Sequence, residues 1–144
     1  MDYRLEVAVL PVGDVDRALA FYTEQVGFTL DVDYRPSDDF RVVQLTPLGS
    51  HCSIQIVAGR TDARADPDRS MYLVVTDIDA ARRDLLERGV DVGDVRHKSP
   101  IDGWQGGWQP GVDPQRGDYA SFVDFADPDG NTWVLQERGF HVRG

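Results

Sequence analysis

The sequence predicts an α+β fold made of two βαβββ half-units, and three observations carry that expectation. Leu5 to Tyr22 (LEVAVLPVGDVDRALAFY) reads as a strand, a tight turn and an amphipathic helix, and Ser70 to Leu86 (SMYLVVTDIDAARRDLL) repeats that order. Val12-Gly13-Asp14-Val15-Asp16 aligns with Val75-Thr76-Asp77-Ile78-Asp79 at an offset of 63, and Gln25-Val26-Gly27-Phe28 aligns with Glu87-Arg88-Gly89-Val90 at an offset of 62. Matches at nearly one offset mark a duplicated unit. A chain of 144 residues is then one domain of two fused halves: a module at 1–58, a linker at 59–69 and a module at 70–144.

Each element has a local cause. Leu5 to Leu10 is β-rich and meets Pro11, which suits a strand end. Asp14 is a good N-cap, and Val15, Ala18, Leu19 and Tyr22 follow on one helix face. Gly27 suits the left-handed residue that closes a helix. Phe28–Tyr34, Phe40–Thr46 and His51–Val57 read as strands, separated by polar or Pro/Gly turns. Ala58 to Arg69 is charged and carries Gly and Pro, as a linker does. The second half restarts at Ser70, and strand Met71–Thr76 precedes a helix capped by Asp77, with Ile78, Ala81 and Leu85 inward, and closed by Gly89. Strands follow at Val90–Val95, Tyr119–Phe125 and Thr132–Glu137, the last two joined by the turn sequence Asp127-Pro128-Asp129-Gly130-Asn131. His97 to Asp118 reads as one long loop, and its two tryptophans argue against plain disorder.

The bulk properties exclude several functions. A net charge of −10 is wrong for binding nucleic acid or an anionic membrane surface. No apolar run approaches the roughly 20 residues of a membrane span. The start, MDYRLEV, lacks the basic and apolar regions of a signal peptide, so the expected location is the cytoplasm. The single cysteine, Cys52, forms no internal disulfide and is either a nucleophile or a small buried hydrophobe in a strand.

Val12-Gly13-Asp14 leading into Ala20-Phe21-Tyr22 and Val26-Gly27-Phe28, with Asp127-Pro128-Asp129-Gly130-Asn131 before the last strand, resembles the vicinal oxygen chelate superfamily. That group holds glyoxalase I, extradiol dioxygenases, fosfomycin-modifying enzymes and bleomycin-resistance proteins. The resemblance spans both half-units apart from the Trp-bearing loop. It implies two βαβββ modules forming a curved mixed sheet around a pocket, and a homodimer. It also implies, in metal-using members, four His or Glu ligands on four strands that let a divalent metal polarise two neighbouring substrate oxygens. The positions matching those ligands here are Val7, Gln55, Ser70 and Val134. Valine has no donor atom, and Ser and Gln are weak ligands for a divalent transition metal. A family-type metal site is therefore not expected, and no other cofactor is. His51, His97 and His141 match no compact metal motif.

Period-2 alternation then estimates the pocket face. It places there Val7 and Val9; Val42, Gln44 and Thr46; Ser53, Gln55 and Val57; Ser70, Tyr72 and Val74; and Thr132, Val134 and Gln136. The register of Tyr119–Phe125 stays open. Trp104 and Trp108, separated by Gln105-Gly106-Gly107, form either a lid over a planar ligand or a packing contact with a partner subunit or the sheet edge. The candidate ligand-binding residues are Val7, Val9, Gln44, Gln55, Tyr72, Trp104, Trp108, Tyr119 and Val134. The expected function is metal-independent binding of a small aromatic or heterocyclic molecule, by sequestration of the bleomycin-resistance kind. The alternative is a cofactor-independent lyase or isomerase using Asp102, His97, Tyr72 or Tyr119 as acid or base. A metalloenzyme with unusual ligands is a third reading.

Overall fold

A computed structural model describes residues 1–59, 70–98 and 107–141. The linker apart from Gly59, together with Asp102, Trp104 and Gln105, lies outside the described residues. The chain divides into two compact units. The first comprises residues 1–66 and the turn 127–131, and the second comprises 67–126 and 132–144.

In the first unit β1 (Val7–Val12) leads to α1 (Val15–Ala20), a π-helical turn (Phe21–Gln25), β2 (Thr29–Ser37), β3 (Phe40–Thr46) and β4 (Ser53–Ala58). The sheet order is β1-β4-β3-β2, with β1 parallel to β4 and the other pairs antiparallel. Alternation sets the core. Leu10, Val12, Val43, Leu45, Ile54 and Ile56 are buried against Ala18, Phe21 and Tyr22 of the helical segment. The Asp14 side chain caps α1 by accepting from Arg17 N–H, and Gly27, at φ 85°, ends the helical segment.

Two local expectations need correction here. Strand β1 does not stop at Pro11 but runs through it to Val12. Proline is tolerated because β1 is at the sheet edge and needs no second ladder partner. The helix does not stay α to Gly27: Val26 N–H reaches Phe21 O at 3.0 Å, an i→i+5 bond. The wider turn lets the consecutive Phe21 and Tyr22 both be buried, with their rings edge-to-face at 5.1 Å and Tyr22 stacked on Phe28 at 5.7 Å.

The turn 127–131 belongs to this unit and is internally tied. The buried Asp127 carboxylate accepts from Asp129 N–H, Asn131 N–H, the Asn131 side-chain amide and the Tyr22 hydroxyl, at 2.7–2.9 Å. Asp129 Oδ1 accepts from Gly13 N–H at 2.8 Å and from Arg17 at 3.0 Å.

In the second unit β5 (Met71–Val75) is followed by α2 (Ile78–Glu87), β6 (Arg96–Lys98), β7 (Trp108–Pro110), β8 (Ser121–Ala126) and β9 (Thr132–Glu137). The order is β5-β9-β8-β6-β7, with β5 parallel to β9 and the rest antiparallel. Ile78, Leu85, Val90, Val92, Val123, Phe125, Trp133 and Leu135 form the core, and Phe125 and Trp133 stack at 6.1 Å. The fold is thus α+β with two mixed sheets, one in each unit.

Val90–Val95 is not a strand. Val90 and Val92 are buried as their alternation suggests, but the segment joins the ladder through a single bridge, Val92 to Phe125. The strand forms just after it, at Arg96–Lys98. His97–Asp118 is accordingly not one uninterrupted loop, because Trp108–Pro110 pairs back on Arg96–Lys98.

Glu137, fully buried at the end of β9, accepts from Ile78 N–H at the start of α2 (2.8 Å) and forms a two-point ion pair with Arg116 (2.9 and 2.6 Å). That pairing pushes the Arg116 guanidinium further up in pKa. Arg116 also stacks on Phe140 at 3.5 Å. Its φ of 49° is unusual for a non-glycine residue, and the contacts around it hold it there.

Candidate functional site

Each sheet has one face against its own unit's core and one face turned away. In the first unit the residues on the outward face form rungs across the strands. Val9 pairs with Gln55, Gln55 with Gln44, and Gln44 with Val32. One rung along, Val7 pairs with Ser53, and Thr46 pairs with Thr29. In the first of these rungs the amides occupy the two central strands and the valines the flanking ones. Val9 is 60% exposed, an open hydrocarbon surface beside the amides.

The amides and hydroxyls bond to each other. Gln55 Nε2 donates to Gln44 Oε1 at 3.1 Å. The Thr46 hydroxyl donates to Asp31, the residue at the bulge of β2. A threonine has one hydroxyl proton, so in the 2.6 Å contact between Thr46 and Ser53 the serine is the donor. Ser53, Thr46 and Asp31 therefore form a directional chain ending on a carboxylate.

In the second unit the outward rungs are Tyr72–Val134–Asp124 and Val74–Gln136–Phe122–Arg96. Tyr72 is 59% exposed and Val74 53%, whereas Val134 is buried at 4%. Arg96 pairs with Asp124 Oδ2 at 3.1 Å and lies over the Trp108 ring at 4.6 Å. Trp108 meets Phe122 edge-on at 5.2 Å, and Lys98 Nζ is 5.2 Å from the Phe122 ring. This face combines exposed phenol and indole with an ion pair.

The sequence-derived candidates divide accordingly. Val7, Val9, Gln44 and Gln55 share the outward face of the first sheet, and Tyr72 and Val134 that of the second. Trp108 starts β7 and packs on Phe122. Tyr119, at φ 57°, precedes β8 with its ring beside Arg138 at 5.7 Å and its N–H bonded to Glu137 O. Trp104 lies outside the described residues. His97 alternates with Arg96 and so faces the opposite side of the sheet, where its Nδ1 bonds to Gly111 O at 2.8 Å. Cys52 is half-buried just before β4, its thiol 3.6 Å from Ser53 O.

Sequence reasoning missed Asp31, Arg96, Phe122 and Asp124. The last two were within reach. The turn 127–131 pairs Ala126 with Thr132, and counting inward places Asp124 opposite Val134 and Phe122 opposite Gln136. Arg96 follows from Phe122 once β6 is known.

Val7, Gln55, Ser70 and Val134, the positions matching the family's metal ligands, do not fit a divalent metal. Two are hydrocarbon, one is a hydroxyl and one is an amide already bonded to Gln44. Among the described residues no three His, Cys, Asp or Glu side chains group so as to hold an ion.

A separate open cleft of about 580 Å³ lies between the start of α1 and the β2–β3 hairpin, lined by Asp14, Asp16, Arg35, Asp38, Phe40 and Arg41 among others. Arg41 holds Asp33 at 3.0 and 2.9 Å and Asp16 at 2.6 Å. Those hydrogen bonds keep the Asp33 carboxyl below its usual pKa and raise that of Arg41. No helix among the described residues is long and apolar enough to cross a membrane.

Comparison with solved structures finds the same fold. TnmS3, an antibiotic binding protein from Streptomyces sp. CB03234, is 28% identical with a TM-score of 0.66, over 94% of this chain and 96% of that one. A glyoxalase/bleomycin resistance protein from the same organism is also 28% identical, with a TM-score of 0.63 over 93% of this chain and 100% of that one. The fosfomycin resistance protein FosX from Listeria monocytogenes is 14% identical with a TM-score of 0.65, over 96% and 95%, and shares the fold alone. No curated protein matches. The profile of the Glyoxalase/Bleomycin resistance protein/Dioxygenase superfamily matches residues 4–135, nearly the whole sequence. With that match, the duplicated βαβ order and a mixed sheet in each unit, the chain belongs to the Glyoxalase/Bleomycin resistance protein/Dioxygenase superfamily.

Proposed function

We propose that this chain binds a small aromatic or heterocyclic molecule without a metal or other cofactor and holds it without turning it over. The observation that carries this reading is the chemistry of the four metal-ligand positions. Val7 and Gln55 share the outward face of the first sheet with exposed Val9, Val134 shares that of the second with exposed Tyr72 and Val74, and the fourth position holds Ser70. Hydrocarbon, phenol and amide suit packing against a planar molecule with a few hydrogen bonds. The similarity to an antibiotic binding protein supports the same reading. The exposed aliphatic and aromatic side chains on the sheet faces also support a homodimer that covers part of them.

Acid–base catalysis has less to work with. His97 is tied to a backbone carbonyl on the other side of its sheet, and Tyr119 is held beside Arg138. The test is titration of chelator-treated protein with a panel of aromatic heterocycles, followed by tryptophan fluorescence and by product analysis. Saturable quenching that is the same with and without chelator, and unchanged ligand on recovery, is the expected result. Binding that vanishes on chelation, or conversion of any panel member, overturns it.

A further inference from the structure

We propose that the Gln44–Gln55 pair is the hydrogen-bonding centre of the ligand site and selects neutral planar molecules that carry an N–H and a C=O side by side, as cyclic amides do. The inference rests on the binding reading above and deepens it.

The two carboxamides sit opposite each other on the central strands β3 and β4, flanked in the same rung by Val9 and Val32. Their mutual bond uses one donor and one acceptor. Gln44 then retains both of its N–H groups, and Gln55 retains one N–H and its carbonyl oxygen. Both side chains are only half-buried, so these groups can be reached from the open face of the sheet.

Half-burying amides between aliphatic side chains costs free energy unless their remaining groups are hydrogen-bonded. Water serves while the face is open. A ligand that covers the valines displaces that water, and must then replace its hydrogen bonds or lose affinity. A cyclic amide edge supplies one donor and one acceptor in its own plane, which can pair with the Gln55 oxygen and a Gln44 N–H. A charged ligand does not match, because neither amide can ionise to compensate it. The neighbouring Ser53–Thr46–Asp31 chain is saturated inward, since both hydroxyl protons are already donated. The donors that this polar stripe offers a ligand are therefore amide N–H groups, two on Gln44 and one on Gln55.

The experiment compares phenanthridinone, a flat tricyclic lactam, with its N-methyl derivative, by calorimetry on the full chain. The expected result is that the wild-type protein binds the lactam about tenfold or more tightly, because the methylated compound leaves the Gln55 oxygen unpaired. Gln44→Met and Gln55→Met keep side-chain length, and each should cut that preference to about twofold or less while still binding the N-methyl compound. Equal wild-type affinities overturn the amide inference and leave the binding reading standing. A preference that persists in both variants also overturns it, by assigning the effect to the bulk of the methyl group. If neither compound and no other planar heterocycle binds, the binding reading fails as well. The wild-type arm needs no variant to fold.

Discussion

The two units solve one problem in different ways. Each anchors the start of its helix with a carboxylate that accepts a backbone N–H and an arginine. In the first unit the carboxylate is Asp129, supplied by a turn, and the anchoring is spread over Asp127, Asn131 and Tyr22 as well. In the second it is Glu137, fully buried in a strand and paired with Arg116 at two points. The outward faces differ in the same sense. The first carries amides and hydroxyls between aliphatic side chains, and the second carries an Arg96–Asp124 ion pair beside Trp108 and Phe122. A duplicated unit thus keeps its topology while its helix is anchored by one buried ion pair in one copy and by a spread of hydrogen bonds in the other.

The sharpest way to break this contrast is Arg116→Met. It strands the Glu137 carboxylate in the core, and loss of one partner of a buried pair costs about 3–5 kcal/mol. Urea denaturation should show that loss, and adding Glu137→Leu should recover much of it. A loss below about 1 kcal/mol would mean that the second unit is not organised around this pair.

Tyr22→Phe probes the distributed anchor. Asp127 loses one of its donors and keeps the others, so the expected cost is about 1–2 kcal/mol by the same measurement. A cost equal to that of Arg116→Met would erase the distinction between the units. On the outward face, Trp108→Ala removes an edge-to-face contact and the ring beneath Arg96, and should lower stability by about 1 kcal/mol in thermal melts.

The smallest effect is expected at Asp33. Arg41 holds its carboxyl below the usual value near 3.9. Its contribution is therefore complete above that unfolded value and is lost as pH falls through the depressed folded one. Because the pair is near the surface, Asp33→Asn should cost about 0.5 kcal/mol at neutral pH and make the acid limb of the stability curve shallower.

How much of this was readable beforehand depends on the length over which a pattern repeats. Asp14 with Gly27 and Asp77 with Gly89 bracket the two helical segments, because caps are local chemistry. Val43 and Leu45 face inward and Gln44 outward, because β3 is long enough for alternation to show. The β6–β7 pairing was not legible, since three-residue strands carry no detectable period. Val90–Val95 misled for the opposite reason. Val90 and Val92 alternate and are buried, but burial does not require a ladder. The π-helical turn is invisible to a 3.6-residue reading, although two consecutive large aromatics, Phe21 and Tyr22, hint that both must be accommodated on one side.

The passage of β1 through Pro11 has a consequence for how the molecule behaves in a crowd. An unpaired strand edge is a template on which chains add to one another and aggregate. At Pro11 there is no N–H to offer, and the carbonyl is already taken by the Asn131 side chain at 3.1 Å. An intruding strand therefore finds neither of the two bonds it would need at this position. Pro11 and Asn131 together act as a guard against edge-to-edge polymerisation, on a strand that still presents Val7 and Val9 on its face.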